Sequence, residues 1–114
     1  MIKGTGIDIT LIERMAEKLD NRPFMEKIFT DYELEYINSK TNRAQTAAGL
    51  FCAKEACLKA YGRGLGGISF HDMEVRHDER GTPKLYCKEP GILHLSISHS
   101  GDVAIAQVIV ESED

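Results

Sequence analysis

The sequence predicts an α+β fold, and three observations carry that prediction. One strand-like segment opens the chain, several helix-like segments follow, and a run of strand-like segments closes it, an order that argues against an alternating α/β sheet. Capping residues and a long alanine-rich stretch mark the helices. After residue 67 the spacing of apolar residues falls to a period of two. A length of 114 residues fits one domain, residues 1–114, with a modest core.

Ile2 to Ile9 reads as a strand whose alternation places Gly4, Gly6 and Asp8 on one face. Glycine in a strand marks the close approach of a ligand or another backbone, or else a bend or a tight crossing. Thr10-Leu11-Ile12-Glu13 has the form of a capping box and predicts a helix from there to about Leu19. Asn21-Arg22-Pro23 breaks it, and Phe24 to Phe29 reads as a short second helix with proline near its first turn. Thr30-Asp31-Tyr32-Glu33 is another capping box, opening a helix to about Asn38. Arg43 to Tyr61 contains no proline and a single glycine, so it predicts the longest helix, stopped by Gly62.

Residues 62–67 form a glycine-dense loop. Met73 to His77 and Lys84 to Cys87 read as strands around a turn at Asp78-Glu79-Arg80-Gly81. His94 to His99 and Val103 to Glu111 read as a second hairpin around Ser100-Gly101-Asp102. The polar tail after Glu111 is expected to fray.

Composition narrows the function. The net charge of −4 argues against general affinity for nucleic acid. The charge is uneven: residues 1–63 carry ten Lys/Arg against nine Asp/Glu, and residues 64–114 carry four against nine. An acidic or phosphate-bearing partner is therefore expected at the N-terminal half. No apolar run approaches the roughly 20 residues of a membrane span, and the N-terminus lacks a secretory hydrophobic region. A cytoplasmic location follows as the expectation, with Cys52, Cys57 and Cys87 as free thiols.

Glu55 and Lys59 lie four apart on the longest helix and share a face with Ala48 and Cys52. That face suits a polar ligand, or it is an ordinary exposed ion pair. Asp8 ends the glycine-bearing strand. Carboxylates from two elements suit Mg²⁺, which takes oxygen ligands and keeps waters for substrate phosphates. Arg14 and Lys18 form a basic pair, followed by Phe24 and Lys27. The strip fits an acidic helix, steered by charge and held by apolar anchors, or a solvated helix face. His99 falls on the apolar side of its segment's alternation, as a packed or turn histidine or as a ligand contact. His71-Asp72 and His77-Asp78 match no standard metal spacing.

Three blocks in register resemble the holo-[acyl-carrier-protein] synthase family of small 4′-phosphopantetheinyl transferases. They are Gly6-Ile7-Asp8-Ile9 with Arg14, the helix Phe51-Cys52-Ala53-Lys54-Glu55-Ala56-Cys57-Leu58-Lys59-Ala60, and Ser96-Ile97-Ser98-His99-Ser100 with the strand after it. The resemblance covers nearly the whole chain and implies a 4′-phosphopantetheinyl transferase-like fold. It implies transfer of the phosphopantetheine arm of coenzyme A to a serine of apo acyl carrier protein in fatty acid biosynthesis, with release of 3′,5′-ADP.

In such families Asp8 and Glu55 would hold Mg²⁺, and Lys59 would meet the coenzyme A phosphates. Glu55 or a water beside it would take the serine proton. Gly62, Arg63, Gly64 and His99 would help bind the nucleotide end, and Arg14, Lys18, Phe24 and Lys27 would meet the carrier protein. A homotrimer with active sites at subunit interfaces is implied as well. Leu50 departs from the family pattern, standing where many relatives carry arginine, and Cys52 and Cys57 replace the more usual alanine and an aromatic.

Overall fold

In the computed structural model, which describes residues 1–62 and 67–114, one long helix lies across a three-stranded antiparallel sheet. The sheet has the order β1 (Ile2–Leu11), β5 (Val103–Glu111), β4 (Ile92–Ser100). Between β1 and the long helix come three short helices, α1 (Ile12–Ala16), α2 (Arg22–Ile28) and α3 (Asp31–Asn38). The long helix α4 spans Arg43–Tyr61. A 3₁₀ turn at Phe70–Asp72 then leads into a separate hairpin, β2 (Met73–His77) and β3 (Pro83–Cys87). The arrangement is α+β, as the segment order predicts. No helix among the described residues is long and apolar enough to cross a membrane.

α4 is the centre of the core, with eleven of its 19 residues buried. The side chain of Asn42 accepts the Gln45 amide at 3.1 Å to start it, and Gly62 ends it in the left-handed region at φ 70°. Its small residues allow a close approach to β1. A Cβ at Gly4 would stand 1.9 Å from the Ala60 carbonyl oxygen, and one at Gly6 would stand 2.0 Å from that of Ala56. The spacings agree: four helical residues rise about 6 Å and two strand residues advance about 6.6 Å. The glycines of β1 therefore make room for another backbone, one of the alternatives left open by the pattern.

The register pairs Asp8 with Ala106 and Thr10 with Ala104. Both alanines are buried on the α4 side, together with Val108 and Val110. On the outer face Ile7 and Ile9 are 55% and 63% exposed.

α1 differs from expectation. β1 continues to Leu11, Thr10 stays in the ladder opposite Ala104, and the helix covers only Ile12–Ala16 before a turn. Thr10 cannot cap that helix because its hydroxyl faces Asp8 and Cys52, and the Ile12 amide bonds the Asp102 carbonyl at 2.8 Å. The Thr30 capping box forms as expected, and its Glu33 does more than cap. Glu33 pairs with the Lys54 ammonium at 2.5 Å, and both side chains are fully buried. Lys54 also donates to the carbonyls of Ile28 and Phe70, and Glu33 accepts the amides of Thr30 and Val75. One buried charge pair thereby ties α2, α3, α4, the 3₁₀ turn and β2 together.

Candidate active site

Asp8 sits two residues beyond Gly6 on the α4 face of β1, at the level where α4 presents Glu55 and Lys59. The Lys59 ammonium donates to Asp8 Oδ1 at 3.2 Å and to the Ile7 carbonyl at 2.9 Å. Glu55 is half-buried, and its carboxyl is pushed above the usual carboxylate range. Burial is the main cause and the neighbouring Asp8 charge adds to it, while Lys59 opposes both. The structure thus brings together the two carboxylates and the lysine singled out in the sequence.

Asp8 and Glu55 border a cavity of about 430 Å³. Its other wall is made by Arg14, Lys18, Phe24 and Phe51. The Lys18 ammonium stands 5.5 Å from the centre of the Phe24 ring, so this wall combines charge with an aromatic surface. Lys27 is not part of it. It projects from the other side of α2 into a largely apolar cavity of about 570 Å³ with Leu58, Ile68 and Phe70.

His99 is also elsewhere. It lines a cavity of about 210 Å³ with Thr46, Gly49, Leu50 and His77, against the N-terminal half of α4. Thr46 and Glu55 are nine residues apart on α4, about 14 Å along the helix axis. Within one chain, therefore, His99 and the carboxylates face different cavities. His77 stacks on Tyr36 with ring centres 3.8 Å apart. Gly62 is the left-handed cap of α4, whereas Arg63 and Gly64 lie outside the described residues.

The donor set suits a hard divalent cation. Two like charges held close enough to raise one pKa are relieved by a positive ion between them. Among the described residues no group of three or more His, Cys, Asp or Glu gathers, so the protein offers two carboxylates and not a zinc-type cage. Two protein oxygens with room for water and phosphate match the habits of Mg²⁺.

Two features of the surroundings escaped the sequence reading. Thr10 reads as a helix cap but stands behind Asp8, with Cys52 behind Thr10. Lys54 reads as part of a motif but is the buried partner of Glu33. A signal for Lys54 exists, since Leu50 and Leu58 lie four residues to either side and place it on an apolar stripe.

Comparison with known proteins identifies the family. Residues 4–108 match the model of the 4′-phosphopantetheinyl transferase superfamily. A holo-[acyl-carrier-protein] synthase of Anoxybacillus flavithermus is 45% identical, over 97% of this chain and 97% of its own length. One from Bacillus thuringiensis is 47% identical over 98% of each. The crystal structure of a holo-(acyl-carrier-protein) synthase from Bacillus anthracis in complex with CoA (3′,5′-ADP) superposes with a TM-score of 0.91 at 46% identity, covering 99% of both chains. The Helicobacter pylori enzyme in complex with coenzyme A gives 0.85 at 30% identity, over 94% of this chain and 99% of that one. The chain belongs to the 4′-phosphopantetheinyl transferase superfamily and, within it, to the holo-[acyl-carrier-protein] synthases.

Proposed function

We propose that the chain acts as one catalytic domain that transfers the 4′-phosphopantetheine of coenzyme A to a serine of an apo acyl carrier protein. The observation that carries this reading is that Asp8, bonded to Lys59, and Glu55 border a cavity whose far wall is basic and aromatic. A pyrophosphate suits the first group of residues and an acidic protein suits the second.

The serine oxygen attacks the phosphorus that bears the pantetheine arm, forming a new P–O bond as the pyrophosphate P–O bond breaks. The leaving group is 3′,5′-ADP. Glu55, or a water beside it, takes the serine proton. Lys59 stands beside Asp8, where its charge offsets the negative charge that grows on the departing phosphate. Asp8 and Glu55 would hold Mg²⁺, which when bound neutralises phosphate charge and orients the pyrophosphate. Arg14, Lys18 and Phe24 receive the acidic helix of the carrier.

The assembly is a homotrimer with the active site at the subunit interface. Two observations support it. The exposed Ile7 and Ile9 leave an apolar face on the outer side of the sheet, and the His99 cavity is separate from the carboxylates within one chain. His99 of one subunit then meets the nucleotide of coenzyme A bound at its neighbour's carboxylates. The enzyme serves fatty acid biosynthesis in the cytoplasm. Intact-mass analysis of an apo carrier protein incubated with coenzyme A, Mg²⁺ and the enzyme tests the reading. Gain of one phosphopantetheine is the expected result, and its absence with cognate carriers refutes the proposal.

A further inference from the structure

Asp8 is held from two sides. Lys59 donates to Oδ1 at 3.2 Å, and the Thr10 hydroxyl donates to Oδ2 at 3.4 Å. A threonine hydroxyl has one hydrogen and rotates to suit its surroundings, so something must choose its acceptor. Here the Cys52 thiol stands 3.0 Å from Thr10 Oγ1 and 3.3 Å from the Ala104 carbonyl. Thr10 and Ala104 are cross-strand partners, so Cys52 reaches from α4 to the β1–β5 pair at one point. A thiol hydrogen directed at Thr10 Oγ1 occupies a hydroxyl lone pair and leaves the hydroxyl hydrogen for Asp8.

Cys52 is fully buried and its pKa is pushed up to about 11, chiefly by burial, so it stays a neutral thiol able to donate. It also lies one helical turn before Glu55. A single stripe of α4 thus addresses Asp8 three ways: directly through Lys59, through space from Glu55, and through Thr10 from Cys52.

We infer that Thr10 and Cys52 are positioning residues for the cation site: the chain Cys52–Thr10–Asp8 turns the Asp8 carboxylate so that its unused lone pairs face Glu55. A carboxylate offers about four lone-pair directions. With one taken on each oxygen, rotation about the last side-chain bond is stopped and the orientation is set before the cation arrives. Hydrogen bonds to a metal-binding carboxylate commonly change metal affinity by roughly 10- to 100-fold. The longer Thr10 contact places this chain at the lower end of that range.

The inference rests on Asp8 and Glu55 being the metal carboxylates, and the test separates the two claims. Mn²⁺ is the probe, with its dissociation constant read by electron paramagnetic resonance on the full-length protein saturated with coenzyme A. Thr10→Val keeps the shape and the strand preference, and the Cys52 thiol can turn its one hydrogen to the Ala104 carbonyl 3.3 Å away, so no buried donor is orphaned. It is expected to weaken Mn²⁺ about tenfold, with Thr10→Ser restoring affinity to within about twofold. Cys52→Ala is expected to weaken Mn²⁺ measurably but less than Thr10→Val, because Cys52 acts on Asp8 only through Thr10, and Cys52→Ser to restore it.

Wild-type affinity in Thr10→Val, or equal losses in Thr10→Val and Thr10→Ser, overturns the positioning role and leaves the metal assignment standing. Failure of the wild-type protein to bind Mn²⁺ overturns both. Should Thr10→Val not fold, the Cys52→Ala and Cys52→Ser pair makes the same decision.

Discussion

The carbonyl oxygen of Ala56 lies so close to Gly6 that a Cβ added to residue 6 would stand 2.0 Å from it. The obstacle is helix main chain, which cannot step aside as a flexible side chain does. Gly6→Ala is therefore expected to destabilise the fold by about 3 kcal/mol, the upper part of the usual overpacking range. For a domain of this size that is a fall of roughly 12 °C in Tm. A thermal melt of the purified variant checks it, and a loss below about 2 °C contradicts the packing described.

The Lys54–Glu33 pair is fully buried, so removing one partner leaves the other as an uncompensated charge. Burial already holds the Lys54 pKa down, with Glu33 opposing that shift. Lys54→Met is expected to lower stability by about 3–5 kcal/mol in urea denaturation. Adding Glu33→Gln should recover part of the loss by removing the buried charge, but only part, because its amide nitrogen faces one of the two backbone amides, Thr30 and Val75, that the separate carboxylate oxygens accept.

Glu55 is held where its negative charge is disfavoured. A carboxyl whose pKa is higher in the folded chain than its ordinary value of 4.5 binds its proton more tightly when folded. That contribution is complete below the unfolded value and is lost as pH rises through the raised value. Ionised Glu55 thus weakens the metal-free protein at neutral pH. Glu55→Gln should abolish turnover yet raise Tm by roughly 2 °C near pH 7.5 in EDTA, with the gap closing near pH 4. A variant that melts below wild type at neutral pH counts against this sign. Asp8→Ala is likewise expected to abolish turnover while leaving the domain folded, as checked by circular dichroism.

Arg14 lines the carboxylate cavity and Lys27 does not. Arg14→Glu is expected to raise the KM for carrier protein about tenfold, the effect of roughly 1.4 kcal/mol, while the KM for coenzyme A stays nearly constant. Lys27→Glu should raise the carrier KM by less. If both constants shift together in the Arg14 variant, the basic wall does not select the protein substrate.

Ile9 is 63% exposed on the outer face of the sheet, opposite Ile105 in the ladder. Placing a charge there opposes burial against another subunit. Ile9→Glu is expected to convert a trimeric mass to a monomeric one in light scattering, with loss of turnover. A variant that remains trimeric and active removes that face from the interface.

The local signals were read well where chain chemistry decides the outcome. Gly62 ends α4, the Thr30 box starts α3, and the period-two runs give β2 and β5 their observed limits. Asp8, Glu55 and Lys59 were visible as candidates because strand alternation and helical spacing put them on definable faces. Long-range packing accounts for the rest. Thr10 matches a cap by spacing, yet its ladder partner Ala104 and the approach of Cys52 give the hydroxyl another use. Lys54 is a charge whose partner comes from another helix 21 residues away, a pairing only the fold creates. His99 and Glu55 belong to one motif set, but the length of α4 between them puts them at different cavities.

The contact between α4 and β1 runs main chain to main chain at Gly4 and Gly6, one turn from the two carboxylates. The gap between Asp8 and Glu55 is consequently gauged by peptide groups, whose dimensions do not vary from one sequence to another. Side chains elsewhere on α4, such as Leu50 and Cys57, are buried against other neighbours and do not set this distance. The gauge between the carboxylates is held instead by two glycines, at the surface where helix and strand meet.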